Sequence, residues 1–145
     1  MAGYYWHSIE KIKMPDGIRA GIDKDGGYLY VGRAFHNGDL LPAKVVPNHH
    51  CAYVAWGGKE HKKIEYEILC KRSCTVIWEQ AKDGAVPPGA IPVGFTSDDE
   101  KLYVGRVFHD GTQTPGKVHP SHGVCYIPYG GSEIGFSSYE VLILQ

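Results

Sequence analysis

The stretch LYVGR at residues 29–33 returns as LYVGR at residues 102–106, 73 residues further along the chain. When the sequence is compared with itself at that offset without a gap, 24 of 72 positions are identical, against about one in 15 to 20 expected from ordinary composition. The chain therefore contains a duplicated unit. Each copy of about 72 residues is near the lower size limit for an independent core, so we expect the two copies to share one.

Composition and turn signals predict an all-β fold. The chain has 19 glycines, 9 prolines and 10 tyrosines, and this composition favours short strands joined by sharp turns. Asn37-Gly38 and Asp110-Gly111 are typical of two-residue hairpin turns, since both turn residues need positive φ. We expect two tandem repeats of short antiparallel strands, residues 1–73 and 74–145, related by an approximate two-fold axis within one compact unit.

Each hairpin leads into a strand that carries a lysine between two prolines. Lys44 lies in the segment PAKVVP at residues 42–47, and Lys117 in PGKVHP at residues 115–120. Proline limits strand pairing, so both segments are predicted to be edge strands. Apolar residues shared by the two copies are predicted to be core residues, namely Leu29/Leu102, Val31/Val104, Phe35/Phe108 and Leu69/Leu142.

Net charge and the N-terminal sequence limit the classes of partner and the cellular compartments that we expect. Lys+Arg 15 against Asp+Glu 16 gives a net charge of -1, which does not favour nucleic acid or an anionic membrane as a partner. The N-terminus lacks a signal-peptide pattern, and no apolar stretch is long enough for a membrane span. We therefore expect a cytoplasmic protein, or one secreted by a non-classical route, whose cysteines are free thiols: Cys51, Cys70, Cys74 and Cys125.

Metal and catalytic sites are not expected. His49-His50-Cys51 and the pair Cys70 and Cys74 match no usual structural-zinc spacing. No calcium loop of the Asp-x-Asp-x-Asp-Gly kind occurs, and no local signature of a catalytic nucleophile surrounds the histidines and cysteines. We expect a binding protein that is not an enzyme and needs no cofactor or metal.

The polar residues near the repeated segments are the candidate ligand-binding groups. Lys44 and Lys117 would project an ammonium from a rigid base, either toward a ligand or as a charge that prevents edge-to-edge aggregation. Asp23 follows a strand end and is replaced by Thr96 in the second copy. An aspartate can accept hydrogen bonds from two neighbouring hydroxyls while a lysine donates to the same pair, a pattern suited to a vicinal diol.

Other recurring polar residues have structural alternatives. Asp25 and Asp98 could contact the ligand or form a turn, and His36 and His109 could contact the ligand or support the hairpin turn. Arg33 and Arg106 are predicted to stack on tyrosines or to pair with acidic residues, either Glu60/Glu133 or Glu67/Glu140. Three tryptophans could form a subunit interface or belong to the shared core: Trp6, Trp56 and Trp78.

The tandem signature LYVGR-x-FH-x-G-x3-P-x-KV-x-P, closing in Y-x-x-[WY]-GG, resembles the DM9 repeat family. This repeat occurs in small invertebrate proteins and in the lectin-like part of natterin-type pore-forming toxins. Two repeats alone resemble the stand-alone mannose-recognising lectins of the family. The resemblance implies an all-β, homodimeric, carbohydrate-binding protein that acts in innate recognition of microbial glycans, with the sugar against Asp23 and Lys44.

The residues and the resemblance together lead to two hypotheses. The first is a calcium-independent lectin for mannose or mannose-containing glycans, with two unequal sites because Thr96 replaces the aspartate in the second copy. The second is an intracellular scaffold, or a lipid- or protein-binding module without sugar affinity, which the lack of a signal-peptide pattern favours.

Overall fold

The computed structural model describes residues 3–8 and 16–145, and this part of the chain is all-β. The first repeat contains strands β1 (Tyr4–Ser8), β2 (Arg19–Ile22), β3 (Tyr28–His36), β4 (Asp39–Val46), β5 (Cys51–Trp56), β6 (Lys59–Lys63) and β7 (Glu67–Lys71). The second contains β8 (Val76–Lys82), β9 (Gly94–Phe95), β10 (Lys101–His109), β11 (Thr112–His119), β12 (Val124–Tyr129), β13 (Ser132–Phe136) and β14 (Ser138–Leu144). Short 3-10 turns follow β4 and β11, at Pro47–His49 and Pro120–His122. Residues 3–8 and 16–145 contain no helix that could span a membrane.

The predicted hairpin turns are present in both repeats. Strands β3 and β4 pair up to the turn at Asn37 (φ 47°) and Gly38 (φ 85°). Strands β10 and β11 do the same around Asp110 (φ 51°) and Gly111 (φ 75°). Every strand of the first repeat has a counterpart seven strands later, which gives the two halves their approximate two-fold relation.

Three strand pairings join the repeats to each other. Strand β2 pairs with its own β3 and also with β11, where Ile22 lies opposite Gln113. Strand β9 pairs with its own β10 and also with β4, where Phe95 lies opposite Leu40. Strands β6 and β13 pair next to their hairpin turns. These pairings place all the strands of the described residues in one antiparallel sheet that closes on itself.

Neither lysine-bearing strand is an edge, so that prediction was wrong. Strand β4 lies between β3 on one side and β9 and β5 on the other, and all its residues are buried. On that second side the pairing with β9 ends at Leu40 and the pairing with β5 begins at Lys44. Pro42 falls in the interval between two partners, which is how an internal strand accommodates a residue that cannot donate a hydrogen bond.

Glycines permit the strands of one repeat to cross those of the other. A Cβ added at Gly21 would collide with the carbonyl oxygen of Gln113 on β11. At the equivalent crossing, a Cβ at Gly94 would collide with the carbonyl oxygen of Leu40 on β4. Both positions therefore need a residue without a side chain.

The core is shared by the two repeats, as predicted. One cluster of fully buried residues draws on both halves, and Trp6 and Trp78 pack against it. Its members are Ile18, Ala20, Val31, Leu69, Val93, Val104 and Leu142. Burying such side chains contributes on the order of 1.5–3 kcal/mol each, and this stabilisation requires both repeats to be present.

Two of the predicted core residues are on the surface. Phe35 is 65% exposed and Phe108 is 76% exposed. Their strand neighbours Ala34 and Val107 face inward instead, because consecutive side chains of a strand point to opposite faces.

The arginines have the structural role predicted for them. Arg33 pairs with Glu67 at 2.8 Å, and Arg106 with Glu140 at 2.9 Å. Their guanidinium groups stack on tryptophans rather than tyrosines, at 3.8 Å from the Trp6 ring and 4.1 Å from the Trp78 ring.

Candidate functional site

Lys44 extends from β4 across the boundary between the repeats. Its Nζ donates to the carbonyl oxygen of Pro128 in the second repeat at 2.7 Å and to Glu60 Oε2 at 3.3 Å. The ammonium lies 5.4 Å from the Tyr53 ring and 5.5 Å from the Tyr129 ring, within cation–π distance. The side chain is only 9% exposed, so its charge is compensated by neighbouring groups rather than by bulk water.

The charge of Asp23 acts on the same tyrosines. The carboxylate is half-buried in the loop between β2 and β3, where Oδ1 accepts from Lys24 N at 2.9 Å. The pKa of Tyr53 is raised to about 12 by a hydrogen bond with Cys51, by burial, and by the negative charges of Glu60 and Asp23. The pKa of Tyr129 is raised chiefly by its hydrogen bond to Asp110 and by burial, and the charge of Asp23 adds to this effect. The structure places Lys44 beside Tyr53, Glu60 and Tyr129, and the charge of Asp23 acts on both of these tyrosines. We call this group the Lys44 cluster: Asp23, Lys44, Tyr53, Glu60 and Tyr129.

A charged rim surrounds Tyr129. Its hydroxyl donates to Asp110 Oδ2 at 2.7 Å, and Lys24 Nζ lies 2.8 Å from the same oxygen. The pKa of Asp110 is lowered by the hydrogen bonds from Lys24 and Tyr129. Since Lys24 belongs to the first repeat and the other two to the second, this rim exists only because the repeats are interlocked.

The second repeat has an equivalent but simpler set of residues, which we call the Lys117 cluster: Lys117, Tyr126 and Glu133. Lys117 Nζ is 3.0 Å from Glu133 Oε2 and 5.3 Å from the Tyr126 ring. Among the described residues, Glu133 is the only polar group that pairs with this ammonium. Thr96, which replaces the aspartate, uses its hydroxyl to accept a hydrogen bond from Glu100 N at 3.1 Å within its own loop.

The two Lys–Glu pairs also hold the repeats together. Gly131 N donates to Glu60 Oε1 at 3.0 Å, and Gly58 N donates to Glu133 Oε1 at 2.9 Å. Each glutamate therefore caps the hairpin turn of the other repeat while its second oxygen faces a lysine. Removing one partner of such a buried pair leaves an uncompensated charge and costs about 3–5 kcal/mol.

Asp25 and Asp98 lie in loop positions. Gly27 N donates to Asp25 Oδ1 at 2.8 Å, and Asn48 Nδ2 donates to Oδ2 at 3.5 Å. The hydrogen bond from Gly27 lowers the pKa of Asp25, and the hydrogen bond from Asn48 lowers it further. Desolvation has a smaller effect than Gly27, in the opposite direction. These contacts match the turn-forming alternative for Asp25. Asp98 is exposed in the corresponding loop.

The two recurring histidines have different surroundings. The His109 ring lies 4.9 Å from the Tyr129 ring and 5.4 Å from Phe136, so it touches the Lys44 cluster. The His36 ring lies 5.3 Å from Trp56, and Lys63 Nζ donates to its Nδ1 at 3.2 Å. Burial and the nearby His61 lower the pKa of His36.

A histidine stack beside the Lys117 cluster was not predicted. The His119 and His122 rings are parallel, with centroids 3.6 Å apart. His119 Nε2 lies 3.0 Å from Glu100 Oε1, and His122 Nδ1 lies 2.9 Å from the Tyr126 hydroxyl. The equivalent of His119 in the first repeat is Val46, so the repeat pattern carried no signal for this stack.

The cysteines form no disulfide and no metal site among the described residues. All four cysteines are free thiols. In residues 3–8 and 16–145, no group of three or more His, Cys, Asp or Glu side chains is placed to hold a metal ion.

Comparison with known proteins gives matches in sequence and in structure. Natterin-3 of Thalassophryne nattereri is 34% identical over 97 residues, which are 66% of this chain and 24% of Natterin-3. The crystal structure of the nematode sperm cell motility protein MFP2B superposes with a TM-score of 0.73 at 19% identity, over 98% of this chain and 46% of that one. The chain thus spans about a quarter of the first protein and about half of the second, and the second likeness is one of fold. The DM9 repeat family matches residues 23–136, and the chain therefore belongs to the DM9 repeat family.

Proposed function

We propose that this protein is a calcium-independent lectin that binds a vicinal diol of a mannose-type sugar at the Lys44 cluster. The observation that carries the proposal is that Tyr53 and Tyr129 flank the Lys44 ammonium and that both also feel the charge of Asp23. Membership of the DM9 repeat family is compatible with a carbohydrate-binding module.

The chemistry of the cluster suits a neutral sugar. Each hydroxyl of a diol can donate one hydrogen bond and accept two. Asp23 can accept from both hydroxyls, and Lys44 has a third N–H beyond those given to Pro128 and Glu60. Because a charged group on one side makes a hydrogen bond about twice as strong as a neutral one, the pair can hold the diol directly. We propose binding rather than catalysis.

Two clusters in one chain favour binding to surfaces dense in glycans. A single-sugar site with a Kd on the order of 0.1–1 mM provides about 4–5.5 kcal/mol. Linking two sites raises the apparent affinity by ~10² or more where both can be engaged. A homodimer, which the family resemblance implies, would double that number again. We therefore propose multivalent recognition of mannose-containing microbial glycans.

The first test is titration calorimetry with mannose, in the presence and absence of EDTA. We expect binding that the chelator does not change, and at least a tenfold loss in Asp23→Asn, because the amide carries no charge and has a donor in place of one of the two acceptor oxygens. Glu79→Gln is the matched control, since it also replaces a carboxylate by an amide, at an exposed position of β8. Wild-type affinity in Asp23→Asn would overturn the site assignment, and loss of binding with EDTA would overturn calcium independence.

Lys44 needs a different kind of variant. Lys44→Ala alone would leave Glu60 buried without its cation, so a loss of binding could reflect a loss of stability. In the double variant Lys44→Gln/Glu60→Gln both charges are removed and the amide oxygen can still accept from Gly131 N. We expect this folded double variant to lose mannose binding, and retained binding would exclude Lys44 as a ligand group.

A protein-binding module is the second candidate function. The observation that favours it is the exposure of large apolar side chains, including Phe35 (65%), Ile64 (71%) and Phe108 (76%), because such groups commonly mark interaction surfaces. A glycan array without signal, together with a specific protein captured by the wild type and not by Phe35→Ser, would favour this candidate over the lectin.

A further inference from the structure

A surface cavity of about 510 Å³ lies between the end of β2 and the β10–β11 hairpin. Its lining comprises Ile22 from the first repeat and Phe108, His109, Asp110, Thr112 and Gln113 from the second. Its volume lies within the range of about 300–1,000 Å³ usual for small-ligand sites. Phe108, at 76% exposure, is the most exposed of the large apolar side chains in the described residues.

The cavity is linked to the Lys44 cluster through Asp110. Asp110 belongs to its wall and accepts the hydrogen bond from Tyr129, whose ring lies 5.5 Å from Lys44 Nζ. On the other wall, Ile22 directly precedes Asp23 in the chain. A ligand bound between Asp23 and Lys44 would therefore have this cavity as its neighbour.

The lining combines one aromatic face with polar groups at the rim. Phe108 and Ile22 offer apolar surface, while Asp110 and Gln113 offer a carboxylate and an amide. A hexose matches this combination, since its ring carries C–H groups on one face and hydroxyls around its edge. Apolar walls with a few polar groups that fix orientation are the usual composition of small-ligand sites.

We propose that this cavity is a second sugar subsite, in which the residue next to the one held at the Lys44 cluster packs its C–H face on Phe108. The inference rests on the proposed function and extends it from a single mannose to a mannose disaccharide or a longer chain. Asp110 joins the two subsites, because it holds Tyr129 on one side and faces the cavity on the other.

The other repeat provides a matched comparison. At the place equivalent to Ile22 stands Phe95, and its ring packs edge-on against Phe35 with centroids 6.4 Å apart. Beside Phe35 a second aromatic ring therefore stands at the position where Ile22 lines the cavity beside Phe108. Phe35→Ala therefore removes an exposed phenylalanine of the same kind without altering the proposed subsite.

The test compares the affinities of methyl mannoside and a mannose disaccharide for the wild type, Phe108→Ala, Phe108→Tyr and Phe35→Ala. We expect the wild type to bind the disaccharide about tenfold more tightly. Phe108→Ala should lose that gain and keep its affinity for methyl mannoside, while Phe108→Tyr and Phe35→Ala should keep both.

The outcomes separate the inference from the proposed function. If the wild type binds both sugars equally, or if Phe108→Ala keeps the disaccharide gain, the second subsite is wrong and the lectin proposal stands. If the wild type binds neither sugar, the proposed function is wrong and the subsite falls with it. Because Phe108 is on the surface, circular dichroism should show an unchanged fold in its variants.

Discussion

At the scale of single residues, burial separates the four thiols. Cys51 and Cys125 are fully buried and Cys70 is 2% exposed, while Cys74 is partly exposed. Burial also raises the pKa of Cys70 and Cys125, which keeps these groups in the thiol form. Since the thiolate is the reactive species, accessibility and pKa act in the same direction.

We expect a thiol reagent to label Cys74 first in the native protein. The three buried cysteines should react only when denaturant opens the core, because the reagent cannot reach them before. Alkylation followed by peptide mass spectrometry measures the order. Labelling of Cys125 as fast as Cys74 in the native state would contradict it.

The His119–His122 stack should make the protein less stable in acid. Burial and then the neighbouring His122 lower the pKa of His119, partly offset by Glu100. An unfolded histidine has a pKa near 6.5, so between pH 7.5 and 5.5 the unfolded state binds more protons than the folded one. Stability should therefore fall as the pH falls through this range, and the two rings, 3.6 Å apart, cannot both carry charge without repulsion.

Thermal unfolding at pH 7.5 and pH 5.5 measures this effect. The variant His119→Val, which copies Val46 of the first repeat, should show a smaller drop in Tm than the wild type. The variant should still show the part of the Tm drop that arises from His36, whose pKa is also lowered by burial. An equal drop in the two proteins would show that the stack does not control acid stability.

Repetition identified important positions in the site but not their contacts. Lys44, Glu60 and Tyr53 recur in both copies, yet Glu60 was predicted only as one of two possible partners of an arginine and lies beside Lys44. Lys24 and Asp110 do not recur, and they meet only because the two repeats interlock. A contact between non-equivalent positions of two repeats has no signature within either copy.

At the scale of elements, the crossing strands β2 and β9 depend on glycine. Gly21 lies against the backbone of β11, and Gly94 against the backbone of β4. A methyl group at either position meets a carbonyl oxygen that is held in the sheet and cannot move aside. Overpacking of this kind typically costs about 1–3 kcal/mol.

We therefore expect Gly94→Ala to lower the free energy of unfolding by about 2–3 kcal/mol, measured by urea denaturation. Gly26→Ala is the control, because Gly26 has positive φ but open space around it. Its cost should be limited to about 1–2 kcal/mol of backbone strain. If Gly94→Ala were no more destabilising than Gly26→Ala, the close approach would not be what requires glycine there.

The local conformation of each hairpin was more predictable than the identity of the strands that lie beside it. Asn37-Gly38 and Asp110-Gly111 identified both hairpins because the required φ values are a property of two residues. The edge prediction for β4 failed because a proline indicates a missing donor, which can equally lie between two partner strands. One of the strands beside β4 is β9, which comes from the other repeat, so the sequence around β4 does not indicate it.

At the scale of the whole molecule, stability depends on contacts between the repeats. The shared core, the β2–β11 and β4–β9 pairings, and the exchanged caps of Glu60 and Glu133 all cross that boundary. The shared core was predictable from the small size of each copy. The pairing of strands between the repeats was not predictable. The apolar pattern of β2 is the same whether β2 pairs within its own repeat or with β11.

Expressing residues 1–73 and 74–145 as separate chains tests this dependence. We expect neither chain to form a folded monomer, because each would expose the strand edges and core surface that the other covers. Mixing the two should restore the native NMR spectrum, and the recovery should depend on concentration. A dispersed spectrum from either chain alone as a monomer would show that the repeats fold independently.

The strand exchange also constrains the origin of the tandem chain. An ancestral chain of one repeat could have completed its β2 edge and capped its glycine turn only against a second copy of itself. Joining two such copies in one gene would have made that encounter intramolecular and permanent. Each half could then accumulate its own substitutions, as Asp23 in one and Thr96 in the other illustrate.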